Sequence, residues 1–141
     1  MRKAIFIILL FFAWRGSSAP GRAEMCIAES KSITYDPILF AFMEAESNFR
    51  TDVVNHLGYT GILQIGQEMI TDANRIQKNH VFTLSDALDS TKSVQIWYIM
   101  QNHYNRSYTL KNACRIWNST ASEKYIEKIQ RIIDRNQINS L

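Results

Sequence analysis

The chain has 141 residues, of which 46% are hydrophobic, and it carries 16 Lys and Arg against 13 Asp and Glu. This length suits one domain with one hydrophobic core. All the acidic residues lie from Glu24 onward, but four basic residues precede it: Arg2, Lys3, Arg15 and Arg22. From Glu24 onward, the chain therefore carries 12 of the 16 basic residues and all 13 acidic ones. This balance excludes the basic surface that is typical of nucleic-acid-binding proteins.

The N-terminal segment has the layout of a secretory signal peptide. A short basic start is followed by the apolar run Ala4–Trp14 and then by small and polar residues. The run is too short to span a bilayer as a helix, which takes about 20 residues. We expect residues 1–23 to be removed after Ala23, or by a cut near Ser18, so that residues 24–141 are exported and keep no membrane span. An uncleaved N-terminal anchor is the alternative.

Two cysteines, Cys26 and Cys114, remain after this segment. In an exported protein an even number of cysteines indicates a disulfide, here Cys26–Cys114. Two unpaired buried thiols are the alternative.

Helical periodicity recurs from residue 36 onward, whereas strand-like alternation is scarce. The pair Asp36–Pro37 predicts a helix start with the aspartate as N-cap, and this helix should run to about Ser47. The stretch 52–62 contains two glycines and predicts turns or a small β segment. A second helix should cover about 64–78.

Three further helices are expected in the second half of the chain. Residues 89–104 keep helical spacing of large apolar side chains, and a short helix should start near Thr109. Residues Thr120–Glu123 have the pattern of a capping box that opens a last helix. Repeats and interdomain linkers are not evident. The sequence therefore predicts one compact, mainly α domain over 24–141.

Two glutamates lie near the end of the first predicted helix. At about 100° per residue, Glu46 falls on the apolar stripe of Leu39 and Phe42, whereas Glu44 faces away. A carboxyl group in partly apolar surroundings has a raised pKa, and one still protonated near neutral pH can act as the general acid in glycosidic cleavage. A helix-end glutamate that caps a backbone group or pairs with Arg50 is the alternative.

Three motifs follow in an order that resembles a known family. The sequence ESNF (46–49), followed by GYTGILQI (58–65), resembles the goose-type lysozyme-like lytic transglycosylases of the soluble lytic type. That family pairs a Glu-Ser step at a helix end with a downstream Gly-x-x-Gly-apolar-apolar-Gln. RIWNST (115–120) looks like its aromatic-Asn step, and KYIEKI (124–129) resembles its late tyrosine helix. The resemblance spans about 38–129 and implies a lysozyme-like domain.

The resemblance implies a role for each matching residue. Glu46 would be the catalytic acid and base. Gln64 would bind a sugar acetamido group or hydroxyl, or alternatively satisfy the backbone of its own turn. Asn118 would bind glycan or position Glu46, or alternatively cap a helix. Tyr125 would line the groove and hydrogen-bond near Glu46, or alternatively pack in the core.

Four other residues complete the predicted site. We expect Tyr98 to reach the cleft and Asn55, where the family often has serine, to contact substrate. Ser47 and Gly61 should hold the local geometry without touching substrate. Departures such as Leu63 in place of a methionine, and the missing Asn-Ile-x-x-Gly segment, bear on substrate details more than on the chemistry.

The resulting hypothesis is an exported peptidoglycan lytic transglycosylase, periplasmic or secreted in a bacterium, that gives a 1,6-anhydro-muramic product. A lysozyme-type hydrolase and a catalytically idle glycan-binding or assembly protein are the alternatives. The partners expected are peptidoglycan glycan strands and, from size alone, a secretion or conjugation apparatus. His56, His80 and His103 have no ligand spacing, so we expect neither a metal nor a cofactor.

Overall fold

The computed structural model of the protein describes residues 35–78 and 81–139. These ranges contain five α-helices and one 3-10 helix: α1 Pro37–Ser47, α2 Gln67–Ile76, the 3-10 helix Leu84–Leu88, α3 Ser90–Tyr104, α4 Leu110–Trp117 and α5 Glu123–Ile138. The prediction of a mainly α chain is confirmed. The predicted signal peptide 1–23 and Cys26 lie outside the described residues.

Helix α1 has the bounds that the sequence predicts, because both of its ends are fixed by local chemistry. The Asp36 side chain accepts hydrogen bonds from the amides of Ile38 and Leu39, at 3.1 Å each, which satisfies two otherwise unpaired donors of the first turn. At the other end Asn48 and Phe49 have left-handed backbone angles, with φ of 53° and 63°. Two consecutive residues in this conformation end the helix sharply.

The stretch between α1 and α2 is a turn-rich loop. In the described residues, the predicted small β segment is reduced to isolated bridges, from Val54 to Thr60 and from Thr60 to Ile65. Helix α2 begins at Gln67 rather than at the predicted residue 64. The reason is that Gln64 itself has a φ of 49°, which a right-handed helix does not allow.

Two helix starts in the second half differ from the sequence prediction. The N-cap of α5 is Ser122, which accepts from the amide of Tyr125 at 3.3 Å. Thr120, predicted to be that cap, instead donates its hydroxyl to Asn118. The 3-10 helix was not predicted, although Thr83 and Asp86 form a capping box at its start.

Helix α1 lies at the centre of the core. Ala41 and Phe42 are fully buried, and α1 makes its most extensive helix contact with α5. The Phe42 ring packs against Trp97 with ring centroids 4.8 Å apart, and Trp97 packs against Trp117 at the same separation. Among the residues described, no helix combines the length and the apolar character needed to cross a membrane.

Candidate active site

Glu46 lies in the last turn of α1, where it meets the first turn of α5. The hydroxyl group of Tyr125 donates a hydrogen bond to the Glu46 carboxyl group, with 2.5 Å between Oη and Oε1. Glu46 is partly buried, as is Tyr125. The structure therefore brings together Glu46 and Tyr125, which the family resemblance places at the centre of the site.

The surroundings of this pair favour the protonated form of both groups. Burial raises the pKa of Glu46 above its ordinary value, and the bond from Tyr125 and the charge of Lys128 oppose that rise without cancelling it. Burial also raises the pKa of Tyr125, and the charge of Glu46 raises it further. Tyr125 is thus a neutral donor, and Glu46 is a carboxyl group that binds its proton more tightly than an exposed glutamate does.

Glu44 has a different environment, two residues earlier on α1. Its carboxylate accepts hydrogen bonds from Arg135 and from Asn136, the latter at 3.2 Å. Burial acts to raise the pKa of Glu44, but these two bonds and the Arg135 charge outweigh it and lower the pKa. Arg50, the alternative partner for Glu46, donates instead to the carbonyl oxygen of Ser47 at 3.2 Å. Glu44 is therefore an ion-paired carboxylate, whereas Glu46 is not.

Aromatic rings form one wall beside the pair. The Phe42 ring lies edge-on to Tyr125, with centroids 6.3 Å apart, and edge-on to Trp117 at 6.2 Å. Trp117 also donates from its indole nitrogen to the carbonyl oxygen of Leu63 at 3.0 Å. Packing of this kind fixes ring orientation, so the hydroxyl of Tyr125 is held in place by the core.

Ser47 and Gly61 anchor the loop to the end of α1. Ser47 is buried, and its hydroxyl group donates to the carbonyl oxygen of Ile62 at 2.8 Å. Gly61 has a φ of 77°, and a Cβ placed on it would lie 1.7 Å from the carbonyl oxygen of Ala87. Any side chain at Gly61 would therefore push the loop away from the 3-10 helix.

Gln64 and Asn55 use polar atoms of their side chains to hold the loop itself. The amide nitrogen of Gln64 donates to the carbonyl oxygens of Gly61 at 3.0 Å and Val53 at 3.3 Å. The side-chain oxygen of Asn55 accepts from the amides of Leu57 at 2.9 Å and Tyr59 at 3.1 Å. For Gln64 this is the alternative that the sequence left open, a side chain that satisfies the backbone of its own turn.

Asn118 also has a local structural role. It is the C-cap residue of α4, is exposed, and accepts from the amide of Thr120 at 3.0 Å and from its hydroxyl at 2.8 Å. The geometry of Asn118 is therefore that of the alternative, a residue that caps a helix.

The structure does not bring Tyr98 to Glu46, which corrects the expectation that it reaches the cleft. Tyr98 is buried, and its hydroxyl donates to Asp36 at 2.8 Å. Asp36 caps the opposite end of α1, ten residues from Glu46, or about 15 Å along a helix that rises 1.5 Å per residue. The partly buried carboxylate of Asp36 holds the Tyr98 hydroxyl group there by accepting its hydrogen bond.

Cys114 lies close to the pair on α4. It is fully buried and forms no disulfide within the described residues, and burial together with the charge of Glu46 raises the pKa of its thiol to about 11. The other half of the predicted disulfide, Cys26, is outside the described residues, so the pairing stays a prediction. A buried thiol with this pKa is a weak nucleophile.

Lys128 is a neighbour of the site that the sequence reasoning missed. Its ammonium group lies 3.4 Å from the carbonyl oxygen of Ala45, the residue before Glu46. The signal was its position three residues after Tyr125, which places both on one face of a helix. Within the described ranges, no group of three His, Cys, Asp or Glu side chains is arranged to hold a metal ion.

Comparisons with known proteins found no relative: no protein-family model, no curated protein and no solved structure matches the chain. Its function is therefore argued from the residues themselves.

Proposed function

We propose that this protein is an exported peptidoglycan lytic transglycosylase in which Glu46 is both general acid and general base. The observation that carries the proposal is the Glu46–Tyr125 pair, a partly buried carboxyl group with one neutral donor and a raised pKa. A general acid must hold its proton near the working pH and release it in the transition state. The three motifs that resemble the soluble lytic transglycosylases supply the substrate class.

The number of carboxyl groups near Glu46 supports transglycosylation over hydrolysis. Glycoside hydrolysis ordinarily uses two carboxyl groups, about 5 to 9.5 Å apart according to stereochemistry. Among the residues described, Glu46 makes one side-chain hydrogen bond, from Tyr125, and none joins it to a second carboxyl group. Asp52, the nearest acidic residue along the loop, is exposed.

With one carboxyl group, the reaction proceeds in two proton transfers. Glu46 first gives its proton to the glycosidic oxygen, and the bond from that oxygen to C1 of the muramic sugar breaks. The Glu46 carboxylate then takes the proton from the C6 hydroxyl of the same sugar, whose oxygen bonds to C1. The sugar's acetamido group stabilises the positive charge between the two steps. The product is a 1,6-anhydro sugar, and Glu46 ends protonated as it began.

In this reaction, Tyr125 positions the carboxyl group of Glu46. Its hydroxyl group fixes one oxygen of Glu46 and leaves the other for the substrate. When Glu46 becomes a carboxylate after the first step, the same bond from Tyr125 stabilises the charge. A lysozyme-like fold belongs to the proposal and is supported by the buried central helix α1, which carries the glutamate at its end.

The deciding experiment is mass analysis of the muropeptides that the purified exported protein releases from peptidoglycan, with Glu46→Gln as the control. We expect products lighter by one water than hydrolytic products, and no release by the variant. Products with mainly free reducing ends would overturn transglycosylation and make Asp52 the candidate second carboxyl group. Absence of any release by the unmodified protein would leave the idle glycan-binding alternative.

A further inference from the structure

A cleft of about 320 Å³ lies on the side of α1 that faces away from Glu46. We call it the aromatic cleft, and the residues that line it are Tyr35, Glu44, Phe49, Asn136 and Asn139. We infer that the aromatic cleft binds a sugar ring of a glycan strand and so holds the strand apart from the reacting group. The inference goes beyond the proposed function, because a glycan can bind here whether or not Glu46 cuts it.

The aromatic cleft and Glu46 lie on different faces of α1. Glu44 and Glu46 are two residues apart, which at about 100° per residue places their side chains about 160° from each other around the helix. Phe40 lies one turn before Glu44, on the same face. The Phe40 ring packs against both aromatic rings of the cleft, with centroid distances of 5.0 Å to Tyr35 and 6.1 Å to Phe49. The three rings therefore form one apolar strip along this face.

Phe49 has a backbone conformation that its side chain does not favour. Its φ is 63°, in the left-handed region that bulky residues rarely adopt, and its amide is held there by donating to the carbonyl oxygen of Met43 at 3.2 Å. Glycine or asparagine suits such a position better. The chain nevertheless has a phenylalanine, with 43% of its surface exposed. Local conformation favours another residue, and a ligand that packs on the ring supplies a reason for this one.

The polar side chains of the aromatic cleft carry both donors and acceptors. Arg135 forms an ion pair with Glu44, which neutralises the carboxylate. An amide side chain has two N–H groups and an acceptor oxygen, and Asn136 uses one N–H for Glu44, at 3.2 Å. Asn139 is exposed and adds a second amide just after the end of α5. The ligand that fits this lining is uncharged and can both donate and accept hydrogen bonds.

A sugar ring in its pyranose form meets these requirements. One of its faces is a set of C–H groups that packs on an aromatic ring, and its edge carries hydroxyl groups that both donate and accept. The volume of the cleft is at the lower end of the range for small-molecule sites. Proline-rich peptides also bind aromatic-lined grooves, but proline has no N–H to donate to the oxygens of Glu44. A glycan therefore fits the polar edge better.

The test follows the side-chain amide signals of Asn136 and Asn139 by NMR. A tetramer of β-1,4-linked N-acetylglucosamine is titrated into the isotope-labelled full exported protein, which carries Glu46→Gln so that the oligosaccharide is not consumed. We expect both signals to shift and to saturate as the oligosaccharide is added. Signals that do not move would overturn the inference.

Phe49→Asn removes the ring and introduces a residue that tolerates the left-handed backbone. We expect binding at the two amide signals to weaken by about tenfold, the scale of one lost aromatic contact, without a fall in the thermal unfolding midpoint. A lower midpoint with unchanged binding would show that Phe49 serves only to pack on Phe40, and would overturn the inference. Tyr35→Ser removes the other ring of the cleft and carries the same prediction if Phe49→Asn does not fold.

Tyr104→Asn is the matched control. Tyr104 is 44% exposed, close to the value for Phe49, and does not line the aromatic cleft, so this variant should keep the shifts of Asn136 and Asn139. A proline-rich peptide titrated in the same way is the second comparison. Shifts caused by the peptide and not by the oligosaccharide would overturn a glycan as the occupant.

These measurements separate the aromatic cleft from the enzymatic proposal. Shifts at Asn136 and Asn139, with no release of products from peptidoglycan by the unmodified protein, would support the cleft and contradict the proposed activity. Release of anhydro products without these shifts would support the activity and overturn the cleft.

Discussion

The two ends of helix α1 each join a carboxyl group to tyrosine hydroxyls, but the two carboxyl groups differ in how many donors they receive. At the N-terminal end the Asp36 side chain accepts from four groups, two backbone amides and two hydroxyls, belonging to Ile38, Leu39, Tyr98 and Tyr108. At the C-terminal end the Glu46 side chain accepts from Tyr125 alone among the residues described.

The direction of the helix reinforces this difference. The N-terminus of a helix carries partial positive charge, which stabilises a carboxylate such as Asp36, and the C-terminus carries partial negative charge, which does not. Asp36 is therefore satisfied on every side and serves to start the helix and to tie α3 to it. Glu46 is short of donors and has a raised pKa. Similar chemical groups give structure at one end and, under the proposed function, a reactive acid at the other.

The largest effect should come from removing the acid at the reactive end. Glu46→Gln keeps the shape and the bond from Tyr125 but has no proton to transfer, so glycan cleavage should fall by about 10²- to 10⁴-fold. Glu44→Gln is the control, and its activity should stay within a few fold of the unmodified protein. If Glu44→Gln were the more damaging change, the contrast between the two faces of α1 would be wrong.

At the N-terminal end of α1, removing the carboxyl group of Asp36 should lower the stability of the protein. Asp36→Ala removes an N-cap and leaves two tyrosine hydroxyls without their acceptor, so the free energy of unfolding should fall by about 2 to 4 kcal/mol. Urea unfolding followed by circular dichroism measures this. Below the melting transition, the variant should still release anhydro products. A loss of stability well below 1 kcal/mol would show that the cap and the tyrosines do not depend on Asp36.

Matched tyrosine substitutions at the two ends of α1 should differ in their effect on the pH profile of cleavage. The bond from Tyr125 lowers the pKa of Glu46, so Tyr125→Phe should raise it further. Because cleavage requires protonated Glu46, activity falls as pH rises through that pKa, and this fall should move to higher pH in Tyr125→Phe. At the optimum of the unmodified protein, kcat should drop by about tenfold, as expected for one lost charge-assisted bond.

Tyr98→Phe provides the comparison for that experiment. It removes a hydroxyl from Asp36, so it should lower the free energy of unfolding by about 1 kcal/mol and leave the pH profile of cleavage unchanged. A shift of the profile in Tyr98→Phe would mean that the two ends of α1 are coupled through the helix.

The last prediction concerns the stability of the protein at the C-terminal end of α1. Because the pKa of Glu46 is raised in the folded state, the folded chain binds more protons than the unfolded chain between the ordinary and the raised pKa. The stability gained from protonated Glu46 is complete below the ordinary pKa and is lost as pH rises through the raised one. Glu46→Gln removes that loss and should stabilise the protein by about 0.5 to 2 kcal/mol at pH 7, with no gain near pH 4. Thermal unfolding at both pH values checks this, and a less stable variant at pH 7 would contradict it.

Local chemistry accounts for what the sequence could predict of this fold. Asp36 and Pro37 fix the start of α1, and the apolar stripe separates Glu46 from Glu44, because both signals act within one or two turns of helix. The same kind of signal misled at Thr120: its hydroxyl pairs with Asn118, and the helix starts at Ser122 instead. Thr120 and Ser122 can both serve as an N-cap, and the sequence alone does not tell which of them does.

Contacts between residues far apart in the chain could not be predicted from the sequence and are known only from the folded structure. Tyr98 meets Asp36 across 62 positions, and its spacing on α3 indicates only that it turns inward, not which end of α1 it meets. Tyr125 was placed near Glu46 by the resemblance and not by any local pattern. Lys128 was missed because a lysine on a helix surface is ordinary until its neighbour across the helix interface is known.

The hydrogen bond between Glu46 and Tyr125 joins residues 79 positions apart, and this has a consequence for how activity emerges during folding. Closing so long a loop costs chain entropy that is repaid only when α5 docks on α1. A ribosome-bound or partly folded chain without a docked α5 exposes Glu46 to water, where a carboxyl group has its ordinary pKa and gives up its proton. Docking of α5 therefore raises the pKa of Glu46. Under the proposed function, a chain still being made or exported has no wall-cutting activity until that last contact forms.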